Sequence, residues 1–115
     1  MNHIKGKVIF KKYPGALESE LTTNPLIPKK NKLLYINTVE NFDSFTNKYG
    51  FIDDTYGNIV HINWSSVAQD FMGFGLNHKL FGDRFFKCQF HGKEYISWWD
   101  AEYYYDDFNY FYINE

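Results

Sequence analysis

Residues 94–115 hold ten aromatic and six acidic side chains and no Lys or Arg, and that density restricts how the segment can fold. Successive side chains on a strand point to opposite faces. The pair Trp98-Trp99 and the run Tyr103-Tyr104-Tyr105 therefore cannot all turn into one core. Some of them must lie exposed or cover another surface. Exposed Tyr and Trp ringed by carboxylates have the composition of a protein-interface hot spot rather than of a solvated face. Trp98, Trp99, Tyr103, Tyr104 and Tyr105 are the candidate apolar anchors of a partner-binding surface. Asp100, Glu102, Asp106 and Asp107 are the charges that would steer a basic partner onto it. The plainer alternative is a tail hairpin turning at Asp106-Asp107, with Tyr103–Tyr105 paired to Phe108–Ile113 and the acids keeping its edge soluble.

The rest of the chain carries the opposite charge. Residues 1–50 contain eight Lys and four acids, residues 51–93 four of each sign, and residues 94–115 six acids alone; +4, 0 and −6 give the net −2. The chain is polarised along its length. The lysines at 5, 7, 11, 12, 29, 30 and 32 are not read as a nucleic-acid surface. Arg84 is the only arginine, and a net negative domain with one Arg lacks the forked donors that such surfaces use.

At 115 residues the chain fits one domain with a core of its own. Twelve Phe, ten Tyr and three Trp against two Met favour strands and flat contact surfaces over a helical bundle. Cys88 is the sole cysteine, so no intrachain disulfide can form. With no apolar leader and no long apolar run, a cytoplasmic location is expected.

Turn signals and periodicity divide the chain. Val8-Ile9-Phe10 is strand-prone and ends at Tyr13-Pro14-Gly15. The stretch to Lys32, with Pro25 and Pro28 around Leu26-Ile27, reads as an extended surface loop. Leu33–Ile36 is a buried strand. Asn37 or Thr38 caps a helix whose apolar face is Val39, Phe42, Phe45 and Tyr49, and Gly50 stops it as a C′ glycine. Ile59–Ile62 is a strand, and Asn63 caps a short helix burying Trp64, Val67, Ala68 and Phe71. Gly73-Phe74-Gly75 leads into a strand or a close backbone crossing. Phe85–Phe90 and Glu94–Trp99 form a hairpin about His91-Gly92-Lys93. The fold class that follows is α+β, a mainly antiparallel sheet with two short helices. It is a single domain over 1–115: strand and extended loop over 1–32, α+β core over 33–93, and the acidic aromatic hairpin over 94–115.

No catalytic signature stands out. Cys88 and His91 have a Cys-x-x-His spacing, but His61 and His78 make no second pair, so no metal is expected. Residues three apart on a strand face opposite ways, which also disfavours a Cys88–His91 nucleophilic pair. Gly73-Phe74-Gly75 lacks the third glycine and the Lys-Ser/Thr of a phosphate loop.

Two blocks resemble a family of small uncharacterised proteins of phages and large DNA viruses. The first is Leu34-Tyr35-Ile36-Asn37-Thr38-Val39-Glu40-Asn41-Phe42 and its continuation to Gly50. The second is Ile62-Asn63-Trp64-Ser65-Ser66-Val67-Ala68-Gln69-Asp70-Phe71-Met72-Gly73-Phe74, set against Ile/Val-Asp-Trp-x-x-Val-Ala-x-Asp-Tyr-x-Gly-Ile. Ser97-Trp98-Trp99-Asp100 echoes a closing block, whose Ser-Gly dipeptide is replaced here by Tyr105-Asp106-Asp107-Phe108-Asn109. The resemblance implies an accessory protein in a host cytoplasm that inhibits a nucleic-acid-handling or defence factor, CRISPR effectors and restriction systems included. The Val67–Phe74 stretch is also similar to a segment of some ADP-ribosyltransferase-like folds. That similarity implies the alternative of an NAD-using enzyme with Asp70, Gly73 and the C-terminal block lining a cleft, and it carries over no catalytic residue.

The expectation is therefore a binding protein without a cofactor, directed at a basic partner protein rather than at nucleic acid or a membrane. Self-association through the aromatic face, as a homodimer, is the remaining alternative.

Overall fold

The structure is a computed structural model that describes residues 9–13, 17–52, 59–77, 80, 87–97 and 110–114. Its elements run β1 (Ile9–Tyr13), a single 3-10 turn (Glu18–Glu20), β2 (Leu21–Thr22), β3 (Lys29–Ile36), α1 (Val39–Tyr49), β4 (Gly50–Ile52), β5 (Ile59–Ile62), α2 (Trp64–Asp70), β6 (Phe71–Leu76), β7 (Cys88–Phe90), β8 (Lys93–Ser97) and β9 (Tyr110–Asn114). The class is α+β.

Both helices start where a side chain can satisfy an orphan N–H. Thr38 Oγ1 accepts from Asn41 N at 3.1 Å, and Asn63 Oδ1 accepts from Ser66 N at 3.3 Å. α1 buries Phe42, Phe45, Thr46 and Tyr49, the expected face with Val39 only partly covered. The buried Thr46 hydroxyl is satisfied by donating to Phe42 O at 2.8 Å.

Gly50 ends α1, but not by the means its sequence position suggests. Its φ of −79° is extended rather than left-handed, so any residue could adopt it. What excludes a side chain is space: a Cβ there would stand 2.4 Å from Thr46 O, 3.0 Å from Val60 Cγ1 and 3.1 Å from Phe90 Cε1. The chain turns straight from α1 into β4 beneath β7.

The strands make two sheets, ordered β1-β9-β6-β3-β2 and β4-β5-β8-β7. The expected mainly antiparallel sheet gives way to a mixed arrangement. β2, β3 and β6 run parallel, while β6, β9 and β1 alternate in direction. β5 and β8 are also parallel, between antiparallel β4 and β7. The cause is the crossover from β3 to β6, which passes through α1, β4, β5 and α2 and so can return the chain in the same direction.

The tail strand also departs from expectation. β9 lies between β1, with Ile9 opposite Asn114, and β6, with Gly75 opposite Tyr110. β1 pairs along the whole of Tyr110–Asn114 and β6 along Tyr110–Tyr112, so both edges of the first three residues are taken by distant strands. Tyr103–Tyr105, expected as its hairpin partner, lie outside the described residues. The loop expected from Gly15 to Lys32 instead contains the 3-10 turn, β2 and the first four residues of β3.

One buried cluster joins the elements. Phe45 is fully buried and packs on Tyr49, Trp64 and Phe74, with ring centroids 5.1, 6.0 and 5.2 Å away. Leu34, Ile36, Val60, Val67, Phe71 and Cys88 belong to the same core. Among the described residues no helix is long and apolar enough to cross a membrane.

Candidate functional site

The two helices end side by side, and the best-defined polar cluster of the described residues sits at that junction. Tyr49 is the last residue of α1 and Asp70 the last of α2. The Tyr49 hydroxyl donates to Asp70 Oδ2 at 2.6 Å, and Lys48 Nζ stands 3.6 Å from the same oxygen. An acid at a helix C-terminus opposes the helix dipole. Lys48 and the Tyr49 hydroxyl offset that repulsion.

Two lysines also close backbone ends here. Lys30 Nζ donates to Ala68 O at 2.8 Å, in the last turn of α2, and Lys48 Nζ donates to Pro25 O at 2.9 Å. Lys32 Nζ donates to Ser19 O. Lys30, Lys32 and Lys48 thus tie backbone carbonyls of separate segments together.

The chemistry open to this junction is limited by its acid–base state. Burial raises the Tyr49 phenol well above its ordinary pKa, and the Asp70 hydrogen bond and charge raise it further. The phenol therefore stays neutral across the physiological range and serves as a fixed donor, not as a base or nucleophile. Sequence spacing offered no signal for the pair, because the two residues come from different helices.

A second polar contact lies at the opposite end of the parallel strands. Asn77, just past β6, donates from Nδ2 to Asn37 Oδ1 at 2.9 Å, just past β3, and its N–H donates to Ile36 O. The carboxyl ends of β3 and β6 are laced together beside the first turn of α1.

The residues singled out from sequence fall as follows. Trp98, Trp99, Asp100, Glu102, Tyr103, Tyr104, Tyr105, Asp106 and Asp107 all lie outside the described residues. Cys88 is fully buried on β7, opposite Tyr95 on β8. His91 is exposed in the turn that follows, with φ of 50°, and its N–H donates to Asn47 Oδ1 at 2.7 Å. Its ring lies against Phe90, centroids 4.4 Å apart. Asp70 is held by Tyr49 and Lys48. Gly73 is buried within β6, opposite Leu33 of β3 and Tyr112 of β9, so it belongs to the sheet interior rather than to a cleft wall. Among the described residues no three of His, Cys, Asp and Glu gather as metal ligands would.

Comparison with family models, with curated proteins and with solved structures finds no match to this chain.

Proposed function

We propose that the protein works by binding a basic partner protein through Trp98, Trp99, Asp100, Glu102, Tyr103, Tyr104, Tyr105, Asp106 and Asp107. The observation that supports this reading is how the neighbouring strands are held. β8 pairs with β5 up to Ser97, and β9 begins at Tyr110 between β1 and β6. Residues 98–109 thus connect the last strand of one sheet to the last strand of the other, with fixed ends on both sides. Binding residues concentrate on segments carried by a rigid scaffold, because anchored ends reduce the entropy lost on association. The stretch carries four acids, six aromatic rings and no cation, so it suits a positively charged, partly apolar counterpart. Extending the resemblance of the two sequence blocks, the partner would be a nucleic-acid-handling or defence factor whose basic groove the carboxylates occupy in place of phosphates.

The test is affinity capture with the wild-type chain beside Asp100→Asn/Glu102→Gln/Asp106→Asn/Asp107→Asn. A basic protein retained in stoichiometric amount by the wild type, and lost from the quadruple variant at an unchanged melting temperature, is the expected result. Equal retention by the two chains would refute the assignment.

A further inference from the structure

At the junction where both helices end, the turn at residues 25–27 presents an apolar pair to solvent. Leu26 is 59 % exposed and Ile27 53 % exposed, whereas Pro25 beside them is among the most deeply buried residues of the described set. The turn is built to hold them there. Asn24 Oδ1 accepts from Leu26 N at 2.9 Å, and Lys48 Nζ clamps Pro25 O. Isolated exposed aliphatic residues are ordinary. Here two are adjacent, set between Pro25 and Pro28, and followed at once by cations.

The strand that follows the tip carries cations and no acid. Residues 21–39 contain Lys29, Lys30 and Lys32 and no Asp or Glu. Lys48 reaches the tip from α1. Glu40 and Asp43 lie in the first half of α1, away from the end where Lys48 sits. Asp70 is the acid at this end, and it is engaged by Tyr49 and Lys48. Lys30 gives a hydrogen bond to a backbone carbonyl, which leaves its ammonium its charge and further donors, whereas Lys48 is offset by Asp70 and Lys32 is tied to Ser19 O between Glu18 and Glu20. Lys29 is exposed. Leu17, 71 % exposed, is left out of the tip because Glu18 and Glu20 follow it.

We propose that this tip docks on an anionic lipid surface, with Leu26 and Ile27 entering the headgroup layer and Lys29 and Lys30 meeting the phosphates. A short aliphatic projection followed by lysines matches the two terms that hold peripheral proteins at membranes, apolar burial and attraction to anionic lipid. Lysine suits such a surface, since a mobile point charge can follow headgroups that present no fixed geometry. The inference departs from the expectation of no membrane partner. It shares no residue with the proposed acidic aromatic contact, so either can fail while the other stands.

The test is co-sedimentation of the full chain with phosphatidylcholine vesicles and with vesicles of phosphatidylcholine mixed with phosphatidylglycerol. The wild type is expected to pellet with the mixed vesicles alone and to be released by salt. Leu26→Ser/Ile27→Ser is expected to stay in the supernatant, and Lys29→Gln to weaken binding about fivefold, the share of one lysine near the surface. These side chains are exposed, and an unchanged melting temperature will show that the variants fold. Absence of pelleting with the mixed vesicles overturns the proposal, as does pelleting that Leu26→Ser/Ile27→Ser leaves intact. Retention on immobilised poly-glutamate without pelleting also overturns it, and assigns the tip to an acidic protein instead.

Discussion

Tyr49 and Asp70 join the ends of the two helices by a hydrogen bond of 2.6 Å from phenol to carboxylate. The contact lies at the edge of the core, where Tyr49 also packs on Phe45. Tyr49→Phe keeps that packing and removes the donor. It is expected to lower stability by about 2 kcal/mol, the range of a hydrogen bond to a charged group, measured by urea unfolding.

The same pair makes the fold less stable at alkaline pH. The Tyr49 phenol is raised in the folded state, by burial first and by Asp70 second, so above about pH 10 the unfolded chain releases a proton that the folded chain retains. Its stabilising effect is complete below the unfolded value and declines as pH climbs past it, by at most ~1.4 kcal/mol per pH unit. Urea midpoints from pH 8 to pH 11 should fall at the alkaline end, and Tyr49→Phe should flatten that fall.

Gly50 and Gly92 should respond to alanine for different reasons. At Gly50 the backbone is ordinary and the space is absent, so Gly50→Ala is expected to cost about 3 kcal/mol, as overpacking does. At Gly92, φ is +78° and nothing lies within 4 Å of the added Cβ, so Gly92→Ala is expected to cost about 1 kcal/mol. Asn tolerates the left-handed region, so Gly92→Asn should recover part of the loss, whereas Gly50→Asn should be worse than Gly50→Ala. Thermal melts of the four variants separate the two causes.

Phe45→Ala tests the centre of the core. The ring is fully buried among Tyr49, Trp64 and Phe74, and its removal is expected to cost about 4 kcal/mol. Thr38→Ala and Asn63→Ala, each removing a single cap, should cost only about 1 kcal/mol apiece.

Local signals in the sequence located what local forces decide. Thr38 and Asn63 cap where cap chemistry predicts, α1 shows its face by spacing, and the β7–β8 turn falls on His91-Gly92. Pairing between distant strands left no comparable trace. Nothing in Tyr110–Asn114 names Ile9–Tyr13 and Phe71–Leu76 as its neighbours, because any β-prone run satisfies a ladder equally well at the level of composition. The parallel β3–β6 pair was missed for the same reason, and so was the Tyr49–Asp70 tie, which depends on two helices ending together. Gly50 marks a subtler gap. Its position identified the helix end, but the reason for glycine lies in Val60 and Phe90, which only the assembled core brings near.

The place of β9 has a consequence for how the protein is made. Among the described residues β1 has β9 as its strand partner, and their register joins Ile9 to Asn114. A ribosome adding roughly 5–20 residues per second needs roughly 5–20 seconds to deliver that partner after β1 emerges. Through this interval β1 has no ladder to join, and β6 lacks the neighbour that later fills its second edge. The larger sheet is therefore completed only once Tyr110–Asn114 has been made, and an interruption before Tyr110 leaves two unpaired strand edges for the chaperones of the cell to shield.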